Sequence, residues 1–298
     1  MSLNLRSLTT ALALITGLAF SLPSGAAQPA RGPAAKAVSA IPLGDFMGRL
    51  RSIEVVATGG QRGTFLLDTG SGVSFVTPEF AKRIGCESWG RITGFRLTGE
   101  RLDLPRCDAV SMTLGGGKAL APLTIGVLDL KPLLPPGAPA ADGSLALDAL
   151  DGQVFTLDLR AGTLEFETPK SLAQRTAGAI EVPIRVSRNG TSGHGLGVSA
   201  RMKTAKGDLW LEVDSGGGAP VLLRKEVAAE AGADPGQSQA QPYTLRLSGS
   251  KGGDVVLPTR AIVRDMIHDG VVGMPVLVNW KVTLDLAGDR MWVTPAKR

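Results

Sequence analysis

At 298 residues the chain has room for two ordinary hydrophobic cores, and its aromatics are scarce at 4 % beside 39 glycines and 19 prolines. That balance favours short strands and many turns over long helices. The formal charge of +5 is scattered, with no Lys/Arg run and no interleaved aromatics, so nothing marks a nucleic-acid groove.

The N-terminus reads as an export signal. Arg6 precedes an apolar run from Leu8 to Phe20, followed by Pro23 and the small residues Ser24-Gly25-Ala26-Ala27. The run is short of the about 20 apolar residues that a membrane span needs. A cleaved signal peptide over 1–27 is therefore favoured over an anchor, and a periplasmic or secreted protein is expected. Residues 28–44 are rich in Ala and Pro and read as a flexible leader. Cys86 and Cys107 would meet an oxidising compartment, so a disulfide is expected, with two buried thiols as the alternative. The two cysteines and two histidines, His194 and His268, show no close ligand pair, so no metal site and no cofactor are expected.

The remainder repeats itself. Residues 63–85 run through an apolar strand, Asp68-Thr69-Gly70-Ser71-Gly72, a second apolar run and a short helical segment ending at Gly85. Residues 207–232 do the same through Asp214-Ser215-Gly216-Gly217 and end at Gly232. Each copy closes alike: Thr156-Leu157-Asp158-Leu159 matches Thr283-Leu284-Asp285-Leu286, each ahead of a tight turn and a last strand. Two units follow, 45–166 and 180–298, with the polar segment 167–179 as linker. The alternation of residues 51–56 and 209–213 reads as strand.

A lone Asp-Thr-Gly or Asp-Ser-Gly is ordinarily a solvent turn. Two copies at the same place in a repeated unit have a different meaning, because pairing the units about a two-fold axis brings both carboxylates to one interface. Two carboxyl groups that close share a proton, leaving one as base and one as acid. Asp158, Asp285, Asp142 and Asp269 precede turns and read as turn residues.

These motifs are similar to the active-site signatures of aspartic peptidases, with two retropepsin-like units fused in one chain in a pepsin-like manner over most of residues 46–298. The resemblance implies an all-β, bilobal fold of two related barrel-like lobes with short helices. It implies Asp68 and Asp214 as the catalytic dyad, supported by Thr69, Gly70, Ser71, Ser215 and Gly216. Thr69 and Ser215 would tie the two loops together through hydroxyl-to-backbone bonds, and Ser71 would bond an outer carboxylate oxygen. The implied activity is endopeptidase cleavage of an extended peptide or protein substrate by a monomer without a membrane anchor. The alternative is a catalytically weak or inactive periplasmic peptide-binding or assembly protein, motivated by Gly217 where the first unit has Ser71, by Ala146 where the second has Gly273, and by the lack of a tyrosine in the first unit, since Tyr243 lies in the second. The hairpin around Gly115–Gly117 is a candidate flap over the cleft, and residues 130–137 read equally as a border to it or as a solvated loop.

Overall fold

The alternating segments form strands Leu50–Ala57 and Asp208–Asp214 in a computed structural model that describes residues 40–189 and 194–295. The expected signal peptide, 1–27, lies outside the described residues, as does most of the 28–44 leader. The end of that leader is not loose. Ile41–Pro42 pairs antiparallel with Thr163 and Leu164, and Ile41 and Leu43 are buried. Their apolar side chains stabilise the segment by leaving water, which offsets the entropy of ordering it.

The described residues form an all-β fold with two large sheets, of ten and twelve strands, and a few short helices. None of those helices is long and apolar enough to cross a membrane. The sequence repeat is also a repeat of strand order. In the first copy, Gln61–Leu67 runs parallel to Gly143–Leu145, which pairs antiparallel with Phe75–Val76. That strand runs parallel to Leu123–Val127, which pairs antiparallel with Arg101–Val110. In the second copy, Asp208–Asp214, Gly270–Gly273, Val221–Arg224, Asp254–Arg264 and Gln241–Ser248 follow with the same alternation of directions.

The twelve-stranded sheet joins the copies. Val154–Asp158 pairs antiparallel with Trp280–Asp285, and Thr156 stands directly opposite Thr283 with their hydroxyls 2.8 Å apart. These two buried hydroxyls satisfy each other, as buried polar groups must. Asp158 and Asp285 serve their turns, accepting from the N–H groups of Ala161 and Gly288. Asp142 and Asp269 do more than turn the chain. Asp142 accepts from the Thr64 N–H and from Arg83, and Asp269 accepts from the Trp210 N–H and from Arg224. Thr64 and Trp210 each lie four residues before a motif aspartate, so these bonds fix both strands on which the site is built.

Local chemistry explains the helices. Thr77 caps Pro78–Arg83 by accepting from the Phe80 N–H, Pro78 occupies the first turn, and Gly85 leaves it at φ +68°. Phe80 then packs edge-on against Phe65 at 5.3 Å, under the strand that leads to Asp68. The segment expected as a linker, 167–179, contains a helix, Pro169–Thr176, closed at its start by a Thr168–Ser171 capping box. The Cys86–Cys107 disulfide is present with Cα atoms 5.9 Å apart, tying the end of the first helix to the strand Arg101–Val110. Closing a loop of that length stabilises by about 3 kcal/mol.

Candidate active site

Strands Gln61–Leu67 and Asp208–Asp214 end at the two motif aspartates, and the turns after them interlock. The Thr69 hydroxyl donates to the Val213 carbonyl at 2.7 Å and accepts from the Ser215 N–H at 2.9 Å. The Ser215 hydroxyl donates to the Leu67 carbonyl at 2.8 Å and accepts from the Thr69 N–H at 3.1 Å. Each hydroxyl thus reaches across to both sides of the opposite turn. Thr69 and Ser215 are 1 % exposed, so all four bonds operate away from competing water.

This interlock brings the carboxyl groups together. Asp68 and Asp214 share a side-chain hydrogen bond. The first glycine of each turn packs on the aspartate of the other. A Cβ on Gly70 would stand 2.5 Å from Asp214 Cγ, and one on Gly216 would stand 2.3 Å from Asp68 Cγ, closer than any side chain tolerates. Within its own turn, Asp68 accepts from the Gly70 N–H at 3.0 Å. Asp214 Oδ1 accepts from the N–H groups of Gly216 and Gly217, both at 2.8 Å.

Burial pushes Asp68 up to about 8, and the charge of Asp214 adds to the rise. Burial also raises Asp214, against the opposing N–H groups of Gly216 and Gly217 and the hydrogen bond from Asp68. The direction is the same for both, so the pair keeps a proton well into neutral pH. The proton belongs to the pair rather than to one residue.

Gly217 and Ala146 are accommodated differently. A Cβ at Gly217 would stand 2.5 Å from Asp214 Oδ2, so the turn as folded has no room for the serine found at Ser71. The Ser71 hydroxyl, in turn, does not bond the carboxylate as the resemblance implied. It donates to the Val73 carbonyl at 2.9 Å, and the backbone N–H of Ser71 faces Asp68 instead. Behind the aspartates, parallel register sets Leu145 beside Leu67 and Gly273 beside Asp214, which makes Ala146 the counterpart of Gly273. The Gly273 N–H donates to the Pro220 carbonyl. The Ala146 N–H donates to the Ser74 hydroxyl at 2.9 Å, and that hydroxyl donates to Asp148 at 2.6 Å. A serine–aspartate pair thus replaces a backbone contact, and burial holds the Asp148 carboxyl up at about 6 against those bonds.

Above the dyad lies a cavity of about 600 Å³. Leu66, Phe75, Leu102, Leu104 and Leu128 give it apolar walls, and Leu130, Leu133 and Leu134 border it, which favours the cleft border over the solvated loop for that part of 130–137. The candidate flap moves. Gly115–Gly117 is a tight turn between strands Met112–Leu114 and Lys118–Ala119, and none of its residues lines the cavity. A different hairpin, of strands Trp89–Phe95 and Arg101–Val110, lines the cavity, and its tip contributes Arg96, Leu97 and Thr98. The Leu97 carbonyl accepts from the Ile267 N–H at 3.0 Å, so this tip reaches the loop of the second copy. Glu212 and His268 also line the cavity and were not singled out in the sequence. His194, in contrast, lines a separate hollow with Lys118, Asp148 and Arg188. Among the described residues no cluster of metal-ligating side chains is found.

No family model and no curated protein matches the chain. Among solved structures it is similar to basic 7S globulin from soybean, with a TM-score of 0.58 and 10 % identity over 87 % of this chain and 95 % of that one. That likeness is one of fold alone. The expected membership of the aspartic peptidase family is therefore corrected: the matched structure is named a globulin, and two short Asp-centred turns are too little sequence to define a family. What the site does rests on its own geometry.

Proposed function

We propose that the chain is a peptide-bond hydrolase in which Asp68 and Asp214 activate water between two lobes, built from the two repeats and related by an approximate two-fold axis. The shared hydrogen bond of two buried carboxyl groups at the floor of a cleft carries this reading. The ionised carboxylate, Asp214, takes a proton from water as the water oxygen attacks the substrate carbonyl carbon. Asp68 gives its proton to the carbonyl oxygen. Asp214 then passes its proton to the amide nitrogen, the C–N bond breaks, and Asp68 recovers a proton from the diol. The pair ends with the single proton it began with. The interlock of Thr69 and Ser215 supplies the rigidity that such alignment needs. The disulfide supports work in an oxidising compartment, and an exported location is part of the proposal.

The test is a digest of a broad peptide library from acid to alkaline pH. Cleavage is expected while the pair holds its proton. Because the carboxyl is raised rather than depressed, the proton is kept below its pKa, so activity should decline as pH rises through about 8. Cleavage that continues undiminished at pH 10 would contradict a one-proton dyad. One observation favours a peptide-binding protein instead, the bond from Ile267 to Leu97 that joins the hairpin tip to the far wall. Peptides bound but uncut at every pH would establish that reading.

A further inference from the structure

Glu212 has no role in the interlock or in the proton transfers, yet it lies in the cleft. It sits two residues before Asp214 on the same strand, and alternation puts both on one face. Its counterpart before Asp68 is Leu66, which is buried against the same cavity. The two walls flanking the dyad are thus unlike, apolar leucine on one side and a carboxyl on the other.

That carboxyl has no strong partner. Its side chain is 12 % exposed, and among the described residues no hydrogen bond reaches it. The nearest cationic candidate is His268, whose Nε2 lies 3.7 Å from Glu212 Oε2. Burial lowers His268 below its usual range, so at neutral pH it offers no positive charge. Arg96, from the hairpin tip, lines the same cavity but is paired with Glu100 at 3.1 Å. The other charged groups facing Glu212 are Asp68 and Asp214, and burial with their charge pushes it up to about 8. With no partner it keeps its proton at neutral pH, and an ammonium or guanidinium group arriving in the cleft would favour the ionised form and pair with it.

We propose that Glu212 is a specificity-determining residue that makes the second-copy wall of the cleft a subsite for a basic side chain, while Leu66 and its neighbours take an apolar one. The preferred substrate is then an extended peptide with an apolar residue on one side of the cleaved bond and lysine or arginine on the other. This rests on the hydrolase reading above.

The experiment uses two peptide series, with leucine fixed on one side of the central bond and lysine, norleucine or glutamate on the other, in both orders. Wild-type protein is expected to cleave the lysine peptide with kcat/KM about tenfold or more above norleucine in one order. In Glu212→Gln that ratio should collapse towards one, and in Glu212→Leu it should invert. Binding of the same peptides to Asp68→Asn by calorimetry supplies a readout free of turnover, and the wild-type ratio needs no variant to fold. Equal cleavage of lysine and norleucine peptides by the wild type overturns the subsite and leaves the hydrolase standing. Lysine-selective binding without cleavage overturns the hydrolase and leaves the subsite standing.

Discussion

Replacing either Asp68 or Asp214 by Asn is expected to lower kcat by about a thousandfold or more, the scale of losing positioned acid–base catalysis. An amide neither releases nor takes the proton that must move between water, carbonyl and leaving nitrogen. Both substitutions are nearly isosteric, and each Asn oxygen still accepts from the N–H groups that now face Asp68 Oδ1 and Asp214 Oδ1. The interlock through Thr69 and Ser215 does not involve these carboxyls. Folding should therefore survive, and removing one member of a crowded acidic pair costs little stability. Steady-state kinetics beside thermal unfolding checks both halves. Activity within tenfold of wild type in either variant, with the fold intact, would exclude the dyad as the catalytic unit.

The second large effect concerns support behind the dyad. Gly273→Ala would place a Cβ 2.0 Å from the Ala219 carbonyl oxygen and 2.8 Å from that of Gly217. Both are backbone atoms of the turn that carries Asp214, so neither can swing aside. The Gly273 φ of −95° suits any residue, so the penalty is steric rather than conformational. Overpacking of this kind costs about 3 kcal/mol. For a chain of this size the melting temperature should fall by on the order of 10 °C. Activity should fall with it, because Gly217 N–H holds Asp214 in place. The mirror substitution, Ala146→Gly, should cost only about 1 kcal/mol, the entropy of an added glycine, since Ser74 already satisfies the N–H there. Equal effects of the two variants would show that the two supports are not built differently.

The sequence repeat carried a large part of this. The two Asp-centred turns, the closing Thr-Leu-Asp-Leu segments and the strands before them are legible because an internal repeat constrains each copy by the other. Register then followed, with Thr156 facing Thr283 across the central pair. Side-chain destinations were not legible. Ser71 reads as a carboxylate donor from its place in the motif, but the Val73 carbonyl is closer to hand. Asp148 looks like an ordinary loop acid in sequence, and only packing shows it behind Ser74 and Ala146. Glu212 was hidden by the alternation that identified its strand. The alternation of Leu209-Trp210-Leu211-Glu212-Val213 reads only as a strand, and in the fold the face that carries Glu212 lines the cavity. Gly115-Gly116-Gly117 is the stronger turn signal in the sequence, while the hairpin that lines the cavity turns at Arg96–Glu100.

If one proton shared by Asp68 and Asp214 lets water attack a peptide bond, the oxygen that enters the product comes from solvent. A single-turnover digest in water enriched in oxygen-18 shows where it comes from. One solvent oxygen is expected in the new C-terminal carboxyl group at the first turnover. Cleavage whose first turnover carries unlabelled oxygen from a protein carboxylate would mean a covalent acyl intermediate and would contradict it.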